Sequence, residues 1–234
     1  MYTDTVLDPS VWWRTLCFVT DQLVVTGDLH ARRDLAEKQL DDWSAVGVSH
    51  IVDVREEWND AAFVNDRHPE ITYLHRPTHD NGGRQDDEWF TSGVSAIVDA
   101  ISADSNNIVV VHCHMGVNRA PSLAFAALLE MGWTVEKALN SIRKARPIVG
   151  ILYAEQAVDW FARRHHMCSS EHVELRRSVR QWLAANSVDS RWVISRIRLA
   201  ENDPSPGHRK AGIDAPGNFP QSQTQLRMMT QEVL

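Results

Sequence analysis

Cys113 and Arg119 stand with five residues between them in Val111-His-Cys-His-Met-Gly-Val-Asn-Arg-Ala-Pro-Ser122. The segment leaves a continuous apolar run, Ile108 to Val111, and enters a second one, Ala120 to Met131, that is long enough for a buried helix. A loop at the end of a buried strand, leading into a helix, is where α/β sheets bind ligands. It makes an anion cradle: successive N–H groups point inward, the helix dipole is positive there, and Gly116 permits the tight curl. Arg119 offers a planar fork for two phosphate oxygens. The same positive surroundings favour the thiolate of Cys113, the nucleophilic form, under a bound phosphate. The chemistry this pattern fits is nucleophilic phosphoryl transfer. Residues His114, Met115, Gly116, Val117, Asn118 and Arg119 would surround the phosphate, with His114 and Asn118 at the pocket mouth.

The elements that must position this loop are legible on both sides of it. Leu16 to Val19 and Leu23 to Thr26 read as a hairpin or two adjacent strands. Asp34 to Val46 has the spacing of an amphipathic helix stopped by Gly47. Val48 to Val54 and Ile71 to His75 read as strands, with Pro77 ending the second and opening a polar loop from Thr78 to Glu88. Trp89 to Ala103 returns to the helical period, and Ile108 to Val111 suits a strand buried on both faces. Helices are expected from Thr134 to Arg146 and from Gly150 to about His165. Glu171–Ala185 and Asp189–Ala200 read as an appended helical hairpin. Strands alternating with helices predict an α/β fold with a central, largely parallel sheet flanked by helices.

His112-Cys113-x-x-Gly116-x-x-Arg119 resembles the signature of cysteine-based protein phosphatases, specifically the dual-specificity family. Gly47-Val-Ser-His-Ile-Val-Asp-Val54 is similar to that family's first helix-to-strand step, and Arg146-Pro147 to its motif after the signature helix. The resemblance covers about Cys17 to His165. It implies a metal-free, cofactor-free hydrolysis of phosphate monoesters on protein Tyr and/or Ser/Thr through a phosphocysteine. It also implies a general acid on a loop about 30 residues before the cysteine. Asp80 lies 33 positions upstream and is the preferred assignment; Asp86 and Asp87 compete with it. In the family the histidine before the cysteine, here His112, orders the loop by hydrogen bonding. Ser or Thr usually follows the signature arginine and helps the thiolate leave; this chain has Ala120, which puts turnover speed in doubt. The loop lacks the lysines of phosphoinositide phosphatases, and no Tyr-bearing motif deepens the pocket, so a shallow site open to all three phosphoresidues is expected. The alternatives are a slow or inactive phosphatase serving as a phosphate-binding module, and a phosphatase of non-protein substrates such as RNA 5′ ends.

Composition sets the outer bounds. The 234 residues are 43% hydrophobic and 24% charged, with a net charge of −7, which argues against nonspecific nucleic-acid binding by the whole body. No stretch approaches the ~18 apolar residues of a membrane span. Cys17, Cys113 and Cys168 are too few and too scattered for a disulfide scaffold, so a cytoplasmic protein is expected. Cys17 and Cys168 are expected to be structural, either being a conceivable partner for an oxidised Cys113. His165, His166, Cys168 and His172 match no standard zinc spacing and are expected to be surface residues. Between Arg163 and Leu199, eight arginines face three carboxylates, a net of +5 that leaves −12 elsewhere. The favoured reading is that the basic segment packs against the acidic body or that its arginines form a solvated face, and docking of an acidic partner is the other. The chain divides into a loosely held lead (1–14) that Trp12 and Trp13 could anchor, a catalytic domain (15–165), a basic helical extension (166–200) and a disordered tail (201–234).

Overall fold

The computed structural model describes residues 8–202, so nearly all of the expected tail and the first half of the lead lie outside it. Pro9–Trp12 forms a short helix (α1), capped by the Asp8 carboxylate on the Ser10 amide. Trp13 behind it is buried and anchors this part of the lead. The hairpin follows as β1 (Cys17–Phe18) and β2 (Leu23–Thr26), its turn closed by the Thr20 hydroxyl accepting from the Leu23 amide. Next come α2 (Arg33–Ala45), β3 (Val48–Arg55), α3 (Ala61–Arg67) and β4 (Thr72–Thr78). Then α4 (Asp87–Ala103), β5 (Ile108–His112) and α5 (Arg119–Glu130) carry the chain through the signature. The remaining helices are α6 (Val135–Ala145), α7 (Ala154–Arg164), α8 (Ser169–Ala185) and α9 (Ser190–Glu201).

The strands form one sheet in the order β1-β2-β5-β3-β4, parallel except for the β1–β2 pair. β5 is central, and its alternating side chains enter two different cores. Val109 and Val111 join the cluster of Phe90, Ile97, Leu123 and Phe125 from α4 and α5. Ile108 and Val110 join Leu40 and Trp43 from α2. A strand covered on both faces needs a continuous apolar run, and Ile-Val-Val-Val supplies it. The fold is the expected α/β one.

Three local expectations are corrected. Strand β4 does not end before Pro77 but runs through it to Thr78. It is an edge strand, where a missing N–H leaves no ladder partner unsatisfied. The short helix α3 follows β3 although no helix was expected there. The last two helices are not a hairpin folded on itself: α8 lies against α6 and α7, whereas α9 lies against α1.

Candidate active site

The loop from Cys113 to Arg119 sits at the carboxyl end of β5, and all of its residues except His114 are buried. The carbonyls from His114 to Val117 are turned outward and each has a donor. His114 O accepts from the Asp28 amide at 3.0 Å and from Trp13 Nε1 at 3.0 Å. Met115 O and Gly116 O accept from the Arg146 guanidinium at 2.9 and 2.7 Å, and Val117 O accepts from the Gly150 amide at 2.7 Å. The N–H groups of Met115 to Asn118, by contrast, have no acceptor among the described residues. Outward carbonyls leave the amides to converge on the inside of the curl, the arrangement an oxyanion needs. Gly116 has φ +63°, and a Cβ there would come within 2.5 Å of the Arg146 guanidinium and 2.6 Å of Thr26 O. Only glycine fits.

Arg119 is buried to 2% exposure, and its five N–H groups are divided between holding and binding. Nη1 donates to Glu57 Oε2 at 2.8 Å and to Thr78 O at 3.0 Å, and Nη2 donates to Glu57 Oε1 at 2.9 Å. That leaves the Nε–H and the second Nη2 proton side by side as a bidentate fork, and Nε is buried with no hydrogen-bond acceptor among the described residues. Burial works against the Arg119 charge, but the electrostatic influence of Cys113, Glu57 and Asp80 outweighs it and holds its pKa above the ordinary value. Glu57 follows a largely buried network at the end of β3. Arg55 grips Asp53 at 3.0 and 2.7 Å and reaches Asp60, and Tyr73 bonds Asp53 through its hydroxyl. Burial pushes the Asp53 carboxyl up, yet His112, Arg55 and Tyr73 bring it down to about 2.

Asp80 stands over this site. Its Oδ1 accepts from Asn118 Nδ2 at 2.7 Å and from the Tyr153 hydroxyl at 3.1 Å, and its Oδ2 lies 3.4 Å from Arg119 Nε. Asn118 also accepts from the Leu152 amide at 2.7 Å, so one side chain ties the cradle, the acid loop and the α6–α7 turn together. Of the competing carboxylates, Asp87 is turned away into an ion pair with Arg163 at 2.6 Å, and Asp86 sits at the N-cap of α4. His112 packs edge-on to Trp43 with its Nε2 3.7 Å from Asp53. Burial lowers its pKa to about 4, so the ring is neutral at pH 7. Ala120 is fully buried in the core and offers no hydroxyl to Cys113; the nearest one in sequence, Ser122, is engaged with Asn118 and the Tyr153 amide.

The sequence matches the family "Dual specificity phosphatase, catalytic domain" over residues 34–160, more than half of the chain. The chain belongs to the dual specificity phosphatases. Solved structures of this phosphatase fold agree at low identity. DUSP15 is 19% identical with a TM-score of 0.51, covering 72% of this chain and 96% of its own. The human tyrosine phosphatase-like serine/threonine/tyrosine-interacting protein is 17% identical with a TM-score of 0.51, over 64% and 97%. Human DUSP28 is 19% identical with a TM-score of 0.50, over 62% and 91%. No curated protein matches by sequence. The dual specificity catalytic domain makes this chain a phosphatase of the tyrosine phosphatase superfamily.

The structure thus brings Cys113, Arg119, Asp80 and Asn118 together, while the side chains of Met115 and Val117 turn away from the cradle into an apolar cluster. Glu57 and Tyr153 were missed. Glu57 had a signal: Arg-Glu-Glu-Trp directly follows a buried strand, at the ligand-binding end of the sheet. Tyr153 had none, because nothing local links it to Asp80. The histidines and Cys168 beyond α7 lie elsewhere: His165 pairs with Glu130, His172 with Asp159, and Cys168 caps α8.

Proposed function

We propose that this phosphatase hydrolyses phosphate monoesters on protein tyrosine, and on serine or threonine, through a phosphocysteine on Cys113. The observation that carries the reading is the Arg119 fork, whose buried Nε has no hydrogen-bond acceptor among the described residues and lies 3.4 Å from Asp80 Oδ2, beside a loop whose Met115 to Asn118 amides also have no acceptor among those residues. In the first step the Cys113 thiolate attacks phosphorus as the ester P–O bond breaks. The leaving oxygen takes the proton of Asp80. In the second step water attacks phosphorus, gives a proton to the Asp80 carboxylate, and the S–P bond breaks to return the thiolate. Glu57 keeps Arg119 oriented through both. All three cysteines are free, which supports a cytoplasmic setting. The buried Ala120 favours slow hydrolysis of the phosphocysteine as the variant reading of the same site.

Phosphate release from phosphotyrosine, phosphoserine and phosphothreonine peptides tests the proposal. Turnover should persist in chelator and disappear in Cys113→Ser, whose hydroxyl stays protonated. Release only from 5′-phosphorylated RNA, or none from any ester, would refute protein phosphatase activity.

A further inference from the structure

Helix α9 lies outside residues 34–160, the span shared with the family, yet it touches the phosphate loop from both its flank and its end. Val193 and Ile197, 2% and 0% exposed, share one apolar cluster with Met115 and Val117 of the loop, with Ile148, and with Trp13. At the last turn, Glu201 Oε1 lies 3.1 Å from His114 Nε2, although the two are 87 positions apart in sequence. His114 directly follows the nucleophile. Its ring is flanked edge-on by Trp13 and Trp58, and Asp28 Oδ2 lies 3.8 Å from the same nitrogen. Trp58 itself follows Glu57, which holds Arg119. The α9 contacts therefore fall on the outer wall of the cradle, where the side chains of Met115 and Val117 point and the amides do not.

We propose that α9 clamps the phosphate loop in its anion-binding shape, with Glu201 as the positioning residue that acts through His114. The proposal rests on the phosphatase reading of the site but concerns the loop's ability to hold phosphate, which is measurable without turnover. The groups facing His114 are Glu201, Asp28 and, at longer range, Glu57; Arg14 neutralises Asp28 at 3.1 Å. Charge alone makes the opposite forecast to the clamp. Glu201 is a carboxylate beside an anion site, so deleting it should tighten phosphate binding if it acted only through its field. A clamp predicts weaker binding.

The probe is inorganic phosphate, titrated calorimetrically into the full chain. Glu201→Ala should weaken phosphate binding about two- to fivefold, the scale of one partly exposed side-chain hydrogen bond, with little change in Tm because the carboxylate is 36% exposed on a terminal turn. Glu201→Gln, which keeps a hydrogen-bonding oxygen for His114, should stay closer to the parent. In a His114→Ala background the Glu201→Ala change should add no further loss, since coupled residues are not additive. Ile197→Ala should weaken phosphate binding as well as lower Tm. Tighter or unchanged binding in Glu201→Ala, additivity with His114→Ala, or an Ile197→Ala variant that loses Tm but not affinity would each overturn the clamp. Failure of the parent chain to release phosphate from any ester would instead refute the function and leave this phosphate titration as the measure of the clamp.

Discussion

Two loops meet over Cys113, and they are held in opposite ways. From Cys113 to Arg119 every residue but one is buried, and the carbonyls from His114 to Val117 are fixed by donors from the segments that follow α1, β2 and α6. From His79 to Arg84 every residue is exposed. Asp80 is kept over the cradle by two hydrogen bonds to its side chain, and the Gly82 amide by one to the Tyr153 hydroxyl. Anion binding needs donors that do not have to reorganise during the reaction. A general acid needs only to arrive in the right place with its proton, so a lightly tethered loop suffices. The difference says that damage to the cradle should cost phosphate affinity, whereas damage to the acid loop should cost rate in proportion to how badly the leaving group leaves.

The largest expected effect lies on the exposed loop. Asp80→Asn should slow phosphothreonine hydrolysis about 10²–10⁴-fold, the usual worth of a general acid. Phosphotyrosine peptides, whose leaving phenolate has a pKa near 10, should lose less, and activated aryl phosphates least. Single-turnover rates are the proper readout, because Ala120 makes the second step a candidate for rate limitation. Equal losses on all esters would make Asp80 structural, and a graded loss in Asp86→Asn or Asp87→Asn would move the acid there. On the buried side, Gly116→Ala should cost about 10²–10³-fold in kcat/KM, as for a lost oxyanion donor, since its Cβ would displace Arg146 or Thr26. That loss should be the same for every leaving group. A loss graded by leaving group would erase the distinction between the loops.

The smallest expected effect sharpens the boundary between them. Tyr153→Phe removes one hydrogen bond to Asp80 and one from the Gly82 amide, worth about 1 kcal/mol each in net terms. It should lower kcat for phosphothreonine peptides about five- to thirtyfold, according to whether one or both bonds matter in the transition state, and leave inorganic phosphate binding unchanged. Weakened phosphate binding would show that the acid loop also shapes the cradle.

The same contrast explains what could be read from sequence. The apolar run before Cys113 and the apolar helix after Arg119 made β5, the cradle and α5 legible, because a strand and a helix buried all round leave no polar periodicity to misread. Asp80 was legible through its distance from Cys113 and its place after a strand. Pro77 misled because sequence does not say which strand lies at a sheet edge. Glu57 and Tyr153 escaped because their roles depend on contacts of 62 and 73 positions in sequence separation. In the basic run that begins at the end of α7, Arg163, Arg164, Arg176 and Arg180 pair with carboxylates of the preceding domain and Arg177 with Glu174 of its own helix, contacts that the sequence pattern did not reveal.

The measurement that tests the central claim most directly is acid quenching of the enzyme during turnover of an aryl phosphate, followed by mass spectrometry of its peptides. A phosphate adduct on Cys113 is expected, accumulating toward one per enzyme because the buried Ala120 offers no hydroxyl to the departing thiolate. It should be absent in Cys113→Ser. Undiminished phosphate release by Cys113→Ser, or turnover with no adduct on Cys113 even in an Asp80→Asn enzyme slowed at the second step, would contradict the mechanism.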